Sequence, residues 1–239
     1  MTETTKLGLP LVQAAQAQKH VTVNEALTRL DALVQLRLLG FGARTPPLAP
    51  KEGAAYALGL APSGAWAGQA GRVAISLDGL WQFVTPERGW QAWDVPSNVA
   101  CRFDGVNWVE QGVAASDGGA ETRQDVIEFD QVLVSPGPVE TVISIPANTQ
   151  VVAVTARVIG AVSGAGLTGW RIGVAGSDNR YGSGLGLSLN SWARGLTGQP
   201  VTYYSDTPLV LTPEGAMDFA GGVLRLAIHL TRVEPPREV

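Results

Sequence analysis

The chain has 239 residues, enough for one or two compact domains that bury most of their apolar surface. It is 45% hydrophobic and only 16% charged, with 29 glycines and 15 prolines, a composition that excludes a disordered chain and favours turns and strands over helices. The formal net charge of −4 and the scattered Lys and Arg residues argue against nucleic acid as a partner.

The sequence also bears on the compartment in which the protein is made. No stretch has the roughly 18–20 consecutive apolar residues of a membrane span, so we expect no membrane insertion. Residues 1–6 have no secretory pattern, and Cys101 is the single cysteine, which excludes an intrachain disulfide. These features predict synthesis in the cytoplasm and, where the protein leaves the cell, release by lysis.

A short amphipathic helix is predicted over residues 22–39. Thr22 and Glu25 form a capping box at its start. The apolar residues that follow recur at spacings of four and three: Val23, Leu27, Leu30 and Val34. Additional apolar positions widen this stripe, so we expect the helix to pack on two neighbours. It is either an ordinary core helix or a contact between the subunits of a trimer.

A β-hairpin region is predicted between residues 56 and 109. Segments 75–84 (ISLDGLWQFV) and 101–110 (CRFDGVNWVE) each place Asp-Gly between alternating apolar residues, the pattern of a tight type I′ turn. Five of the seven tryptophans lie in this region: Trp66, Trp81, Trp90, Trp93 and Trp108. A small region needs large aromatic side chains to bury enough area, so we expect core packing, with sugar stacking as the less favoured alternative.

The remainder of the chain predicts a second domain. Residues 112–122 (GVAASDGGAET) are small and polar without periodicity and predict a flexible linker. Over residues 123–239, short strand-like runs recur between Gly and Pro positions, which predicts a jelly-roll-like β-sandwich. The predicted fold is therefore mainly β, with the helix and the Trp-rich β-hairpins in residues 1–111 and the sandwich after the linker.

Candidates for catalysis are few. His20 and His229 are the only imidazoles, and neither a nucleophile elbow nor a phosphate-binding loop in the required context occurs. Glu128 and Asp130 would lie about 7 Å apart on one strand face, within the range of glycosidase carboxylate pairs, although such alternation is usually just a solvated strand face. We expect no catalytic residue, metal site or cofactor, and a polysaccharide-degrading glycosidase remains an alternative.

The strongest candidates for a binding surface lie in two predicted loops. The first contains Asp178, Asn179, Arg180 and Tyr181, and the second contains Trp192 and Arg194. An aromatic plane beside amide, carboxylate and guanidinium groups suits a sugar, because the C–H face of the sugar stacks on the aromatic ring while its hydroxyls form hydrogen bonds. The alternative is a pair of ordinary solvated loops.

Several motifs carry a resemblance to a known family. Residues 7–35 (LGLPLVQAAQAQKHVTVNEALTRLDALVQ) resemble the opening of a family of uncharacterised domains carried by alphaproteobacterial prophages and gene transfer agents. The resemblance continues through five short motifs: PLAPKEGAAY at 47–56, GAWAG at 64–68, DGLWQF at 78–83, GWQAW at 89–93 and FDGVNW at 103–108. Residues 145–229 are similar to the domain that commonly accompanies it.

The resemblance implies a fibre or head-spike protein on a virion or gene transfer agent, one that binds the capsular polysaccharide of the recipient cell for adsorption. Residues 1–111 would then dock on a capsid or spike-base protein and form a homotrimer. Within them, residues 11–19 (LVQAAQAQK) alternate Gln and Ala without a side chain large enough to build a core, a composition that favours a docking arm. Trp170 and Tyr204 fit the family pattern and are expected in the core, whereas Trp192 departs from it, as a receptor-contacting residue would. A purely structural baseplate or head-decoration protein is the alternative.

Overall fold

The computed structural model describes residues 2–12, 19–134 and 136–238; the centre of the predicted docking arm, residues 13–18, lies outside the described residues. The fold is mainly β, which confirms the predicted fold class. The chain divides into two compact units, Met1–Gln111 (unit 1) and Gly112–Val239 (unit 2).

The described part of unit 1 contains helix α1 (Lys19–Val34), a short 3-10 helix (Gly64–Trp66) and a seven-stranded sheet. The strands are β1 (Arg37–Leu38), β2 (Ala55–Ala57), β3 (Val73–Leu77), β4 (Leu80–Val84), β5 (Gln91–Asp94), β6 (Val99–Phe103) and β7 (Trp108–Glu110). Their order across the sheet is β4-β3-β2-β1-β5-β6-β7.

Helix α1 does not have the predicted bounds of residues 22–39. It begins at Lys19, so Thr22 lies inside the helix and does not cap it. It ends at Val34, because the chain continues into β1, which pairs in parallel with β2 on one side and β5 on the other. The hydrogen bonds of a central strand therefore replace those of the expected last helical turn, and Leu38 is completely buried.

The two Asp-Gly segments form different turns. Asp78 and Gly79 both have positive φ, 51° and 74°, between β3 and β4, as the predicted type I′ turn requires. The second segment is a longer loop between β6 and β7. There the Asp104 carboxylate accepts the backbone N–H groups of Val106 and Asn107 at 2.8 and 2.7 Å, so a side chain organises the loop instead of a two-residue turn.

The tryptophans of unit 1 divide between core and surface. Trp66 is completely buried and packs against the rings of Tyr56 and Trp81, with ring centroids 5.3 and 5.0 Å away. Trp81, Trp90 and Trp108 are half-buried beside the apolar clusters of the unit. Trp93 is 41% exposed, so the core prediction is wrong for this residue.

Unit 2 is a sandwich of two sheets. Its strands are β8 (Ala114–Ala115), β9 (Glu121–Val132), β10 (Val139–Ile145), β11 (Thr149–Ser163), β12 (Gly169–Val174), β13 (Ser177–Leu185), β14 (Trp192–Tyr203), β15 (Thr207–Glu214) and β16 (Gly221–Glu234). One sheet has the order β10-β15-β12-β13 and the other β14-β11-β16-β9-β8. Apart from the short β8, this is the strand arrangement of a jelly roll, as predicted.

The inner faces of both sheets form one apolar core. Its fully buried side chains include Leu133, Ile145, Trp170, Ile172, Leu211, Leu224 and Leu226. Trp170 is in the core as expected, and its indole N–H donates to the Gly186 carbonyl oxygen at 3.1 Å. Tyr204 is 82% exposed, so its predicted core position is wrong.

The predicted linker is partly a hairpin. Ala114 and Ala115 form β8 and pair with Thr122 and Glu121 at the start of β9. The Gly112 N–H also donates to the Glu121 carboxylate at 2.7 Å. Residues 112–122 therefore form a hairpin at the edge of the five-stranded sheet, held by backbone pairing.

Candidate functional site

The outer face of the five-stranded sheet carries a groove of about 450 Å³. We call it the outer-face groove and define it by its principal side chains: Glu128, Thr155, Arg157, Trp192, Arg194 and Arg225. These side chains come from β9, β11, β14 and β16, so the groove is built on paired strands. Its charged and aromatic groups lie on the face opposite the apolar core.

The strand register explains why these side chains meet. One row of cross-strand neighbours runs from β14 to β9: Trp192, Arg157, Arg225 and Asp130. The adjacent row contains Arg194, Thr155, Ala227 and Glu128. Neighbouring strands lie about 4.8 Å apart, so four strands span roughly 14 Å. The small side chains of Thr155 and Ala227 form the floor between the longer side chains.

A β-bulge in β11 directs two of these residues outward. At Val152 the pairing advances two residues along β11 for one along β16. Before this point the odd-numbered side chains of β11 face the core, and after it the even-numbered ones do. Thr155 and Arg157 therefore face the groove, whereas unbroken alternation would place them against the core.

Trp192 and Arg194 form the aromatic side of the groove. The Trp192 side chain is accessible to a ligand, since the residue is 60% exposed. The Arg194 guanidinium carbon lies 5.2 Å from the centroid of the Trp192 ring, within the range of a cation–π contact. Both residues lie on strand β14 and not in the predicted loop, and β14 is the edge strand of its sheet.

The opposite side of the groove carries an ion-pair network. The Asp130 carboxylate accepts two hydrogen bonds from Arg225, at 2.7 and 2.9 Å, and the Arg225 Nε atom is also 3.9 Å from Glu128. The hydrogen bonds from Arg225 hold the pKa of Asp130 below its ordinary value. Asp130 therefore remains ionised at neutral pH and is poorly suited to donate a proton.

Arg157 and Arg194 have a different environment. Neither forms an ion pair with a carboxylate among the residues that the structure describes. Arg157 donates one hydrogen bond, to the Asn190 carbonyl oxygen at 3.2 Å. Two guanidinium groups without a carboxylate partner thus lie beside an exposed indole.

Tyr181 is not a surface residue. It is 2% exposed, and its hydroxyl forms a 2.7 Å hydrogen bond with the Tyr203 hydroxyl inside the core. Burial, and next the hydrogen bond to Tyr203, raise the pKa of Tyr181. The prediction that Tyr181 contacts a sugar is therefore wrong, because the residue is buried in the core.

The other residues of the first predicted loop lie on strand β13 of the four-stranded sheet. Asp178 accepts a 2.7 Å hydrogen bond from the Arg171 guanidinium. Asn179 and Arg180 are exposed, but they do not line the outer-face groove. Of the six predicted binding residues, the structure brings Trp192 and Arg194 together in this groove and places the remaining four elsewhere.

Three groove residues were missed by the sequence analysis: Thr155, Arg157 and Arg225. A signal for the arginines is present in the sequence, because each stands between two apolar residues that proved to be buried. His229 lies beside the groove, with its Nε2 atom 3.1 Å from the Thr155 hydroxyl, and it projects from the same face of β16 as Arg225.

The described ranges 2–12, 19–134 and 136–238 offer neither a metal-binding cluster nor a membrane-spanning helix. No group of three or more His, Cys, Asp or Glu side chains in these ranges could hold a metal ion. No helix in the same ranges is long and apolar enough to cross a membrane.

Parts of the chain are similar to one family of proteins and to solved structures, among them two from phage capsids. Residues 23–109, within unit 1, match the model of a family described as a protein of unknown function (DUF2793). The cyanophage Pam1 capsid asymmetric unit is similar over 51% of this chain and 94% of its own, with 21% identity and a TM-score of 0.39. The acidic stable capsid structure of Helicobacter pylori bacteriophage KHP30 is similar over 48% and 98%, with 17% identity and a TM-score of 0.34. No curated protein matches the chain.

Proposed function

We propose that this protein is a fibre or head spike of a virion or gene transfer agent and that unit 2 binds a capsular polysaccharide on the recipient cell. The observation that carries the binding proposal is the outer-face groove, where an exposed indole lies beside guanidinium and carboxylate groups. This combination suits a sugar ring and its hydroxyls. The location on a phage-like particle rests on the sequence resemblance of residues 7–35 and the motifs that follow them.

Binding without catalysis is the favoured activity of this groove. A glycosidase needs one carboxyl group that is protonated near neutral pH and a second that is ionised. Both oxygens of Asp130 instead accept hydrogen bonds from Arg225, which also attracts Glu128. The hydrogen bonds from Arg225 keep Asp130 ionised and make it unsuitable as the proton donor of such a pair, which argues against the glycosidase alternative.

Homotrimerisation is part of the proposal, and exposed apolar side chains on helix α1 support it. Val23, Leu30 and Val34 are all exposed, at sequence spacings of seven and four, so they lie along one face of the helix. Several sites per fibre would be needed, because a shallow groove is expected to give single-site dissociation constants in the micromolar to millimolar range, roughly. Multivalent attachment can raise the apparent affinity by roughly 10²–10⁴.

Cell binding by matched variants tests the proposed function. The labelled full-length protein is incubated with capsulated cells and with otherwise identical capsule-free cells, and bound protein is measured by flow cytometry. We expect binding to capsulated cells only, and we expect Trp192→Ala to remove most of it. Trp93→Ala, at the exposed tryptophan of unit 1, is the control and should bind as the parent does.

Each other outcome identifies an alternative. Equal signals from both cell types, or no signal from a panel of capsulated strains, would favour a purely structural baseplate or head-decoration protein. Shortening of the purified polysaccharide during incubation would favour the glycosidase. A Trp192→Ala variant that melts several degrees lower but binds normally would mean that Trp192 serves packing and not contact.

A further inference from the structure

Charge is unevenly distributed across the outer-face groove. On the β9 side, the Glu128 and Asp130 carboxylates are engaged by Arg225. On the β11 and β14 side, Arg157 and Arg194 carry positive charge that no carboxylate of the described residues pairs with. The whole chain has a net charge of −4, so this positive side is a local feature of an otherwise acidic molecule.

The placement of Arg157 is unfavourable for the folded protein alone. Arg157 is the direct cross-strand neighbour of Arg225, and like charges opposite each other in a sheet are destabilising. The Asp130 carboxylate compensates the charge of Arg225, from which it accepts two hydrogen bonds. It does not compensate the charge of Arg157. A local arrangement that destabilises the folded protein, with no compensating contact, is typical of a functional site.

The geometry around Arg157 fits a planar anion next to a ring. Its guanidinium has five N–H donors, of which one is directed to the Asn190 carbonyl oxygen, and the remaining fork matches a carboxylate. Trp192 is the cross-strand neighbour of Arg157 on the other side. Arg194 covers one face of the Trp192 ring, and the 60% exposure of this residue leaves room at the other face.

We propose that the outer-face groove recognises an acidic sugar, with the sugar carboxylate on Arg157 and the sugar ring stacked on Trp192. The inference rests on the proposed function and specifies its ligand class. Glu128 and Asp130 repel a second carboxylate at the β9 side, so the adjoining sugar is uncharged there and donates its hydroxyl groups to these carboxylates. The preferred polymer therefore carries its acidic residues separated by neutral ones.

A glycan array provides the test. Bacterial surface polysaccharides are printed in native form and after reduction of their carboxylates to primary alcohols, and the full-length protein is applied at low and high salt. We expect binding to native acidic polymers, loss of that binding after carboxyl reduction, and weaker binding as the salt concentration rises from about 0.05 to about 0.5 M. Among native acidic polymers, those with interspersed neutral sugars should bind better than homopolymers of uronic acid.

Substitutions of matched arginines test the assignment of residues. Arg157→Gln and Arg194→Gln should weaken binding to acidic polymers by about 10-fold or more, as expected for the loss of a hydrogen bond to a charged group. Arg180→Gln, at an exposed arginine of β13 outside the groove, should leave binding unchanged. Arg157→Gln should also melt at the same temperature or higher, because it removes the like-charge pair, whereas a structural role would lower the melting temperature.

The outcomes separate this inference from the proposed function. Equal binding to native and carboxyl-reduced forms would overturn the acidic-sugar inference and leave polysaccharide binding intact. Loss of binding in Arg180→Gln equal to that in Arg157→Gln, or preference for uronic acid homopolymers, would overturn the assigned arrangement. No binding to any polymer, together with no binding to capsulated cells, would overturn the proposed function itself.

Discussion

Two aromatic residues of unit 2, Tyr181 on β13 and Trp192 on β14, differ in their exposure to solvent. Trp192 is 60% exposed on the outer sheet face, whereas Tyr181 is enclosed in the core with its hydroxyl bonded to that of Tyr203. A buried hydroxyl pair satisfies two polar groups that would otherwise lack partners. At the residue scale, the two side chains should therefore respond differently to substitution.

We predict that Tyr181→Phe lowers the free energy of unfolding by about 1–2 kcal/mol, because it leaves the buried Tyr203 hydroxyl without its partner. Chemical denaturation measures this change, and polysaccharide binding should be unaffected. Tyr204→Phe, at the exposed neighbouring tyrosine, is the control and should change stability by less than about 0.5 kcal/mol. A loss of binding in Tyr181→Phe without a loss of stability would contradict the burial of this residue.

Asp31 ties the N-terminal segment of unit 1 to helix α1. Its buried carboxylate accepts hydrogen bonds from the Thr4 hydroxyl at 2.7 Å and from the backbone N–H groups of Lys6 and Leu7 at 2.9 and 2.6 Å. Burial alone raises the pKa of Asp31, but these hydrogen bonds together lower it below its ordinary value of 3.8. The charged form is therefore the stabilising one.

Because the pKa of Asp31 is lowered in the folded protein, the stability that its carboxylate contributes depends on pH. The stabilisation from Asp31 is fully present above its ordinary pKa and is lost as the pH falls through the lower, folded-state pKa. At pH 7, Asp31→Asn should lower the free energy of unfolding by about 1–3 kcal/mol. The difference between variant and parent should shrink as the pH approaches 2. Gln35→Ala, at an exposed uncharged residue after α1, should give no such trend. A constant difference between Asp31→Asn and the parent across this pH range would refute the argument.

Single residues differ in how far the sequence could reveal them. The core position of Trp170 was expected from the family resemblance, and its strand carries the buried Ile172 and Val174 on the same face. The burial of Tyr181 does not, because it depends on Tyr203 from another strand and on the packing of the two sheets. The apolar residues on either side of Arg157 indicate that it faces outward, but its position beside Trp192 and Arg225 depends on the bulge at Val152, which no local pattern in the sequence indicates.

At the element scale, whether a strand lies at the centre or at the edge of its sheet explains whether it could be predicted from the sequence. Strands β11 and β16 lie inside the five-stranded sheet and show long apolar alternation that is easily recognised. Strands β13 and β14 are edge strands with many glycines and polar residues, so their sequences indicate loops. The hairpin within the predicted linker was not expected for the same reason, since β8 is a short edge strand of small residues.

Gly195 allows β13 to approach β14. A Cβ atom at this position would overlap the backbone carbonyl and the side chain of Tyr181, so the close approach requires glycine. We predict that Gly195→Ala lowers the free energy of unfolding by about 1–3 kcal/mol through overpacking. Gly198→Ala on the same strand has no atom within 4 Å of its new Cβ and should change stability by less than about 0.5 kcal/mol. Equal thermal shifts in the two variants would contradict this packing.

At the scale of the whole molecule, the exposed apolar face of helix α1, formed by Val23, Leu30 and Val34, predicts association with other copies of the chain. Leu30 lies at the centre of that side and is 51% exposed, so burial against other copies would remove apolar surface from water. We expect a trimer at micromolar concentration by sedimentation or light scattering, and a monomer for Leu30→Glu. Leu48→Glu, at a fully exposed leucine outside the helix, should remain trimeric. A parent protein of monomer mass would disprove the trimer.

The construction of the groove on four paired strands limits how its specificity could change over generations. An insertion or deletion in β9, β11, β14 or β16 would shift the register and turn groove side chains toward the core. Surface loops tolerate such length changes, but these strands do not. When the polysaccharide of the recipient cell changes, this groove would therefore adapt by point substitutions at a few outward-facing positions. The lengths of the surrounding strands would stay constant.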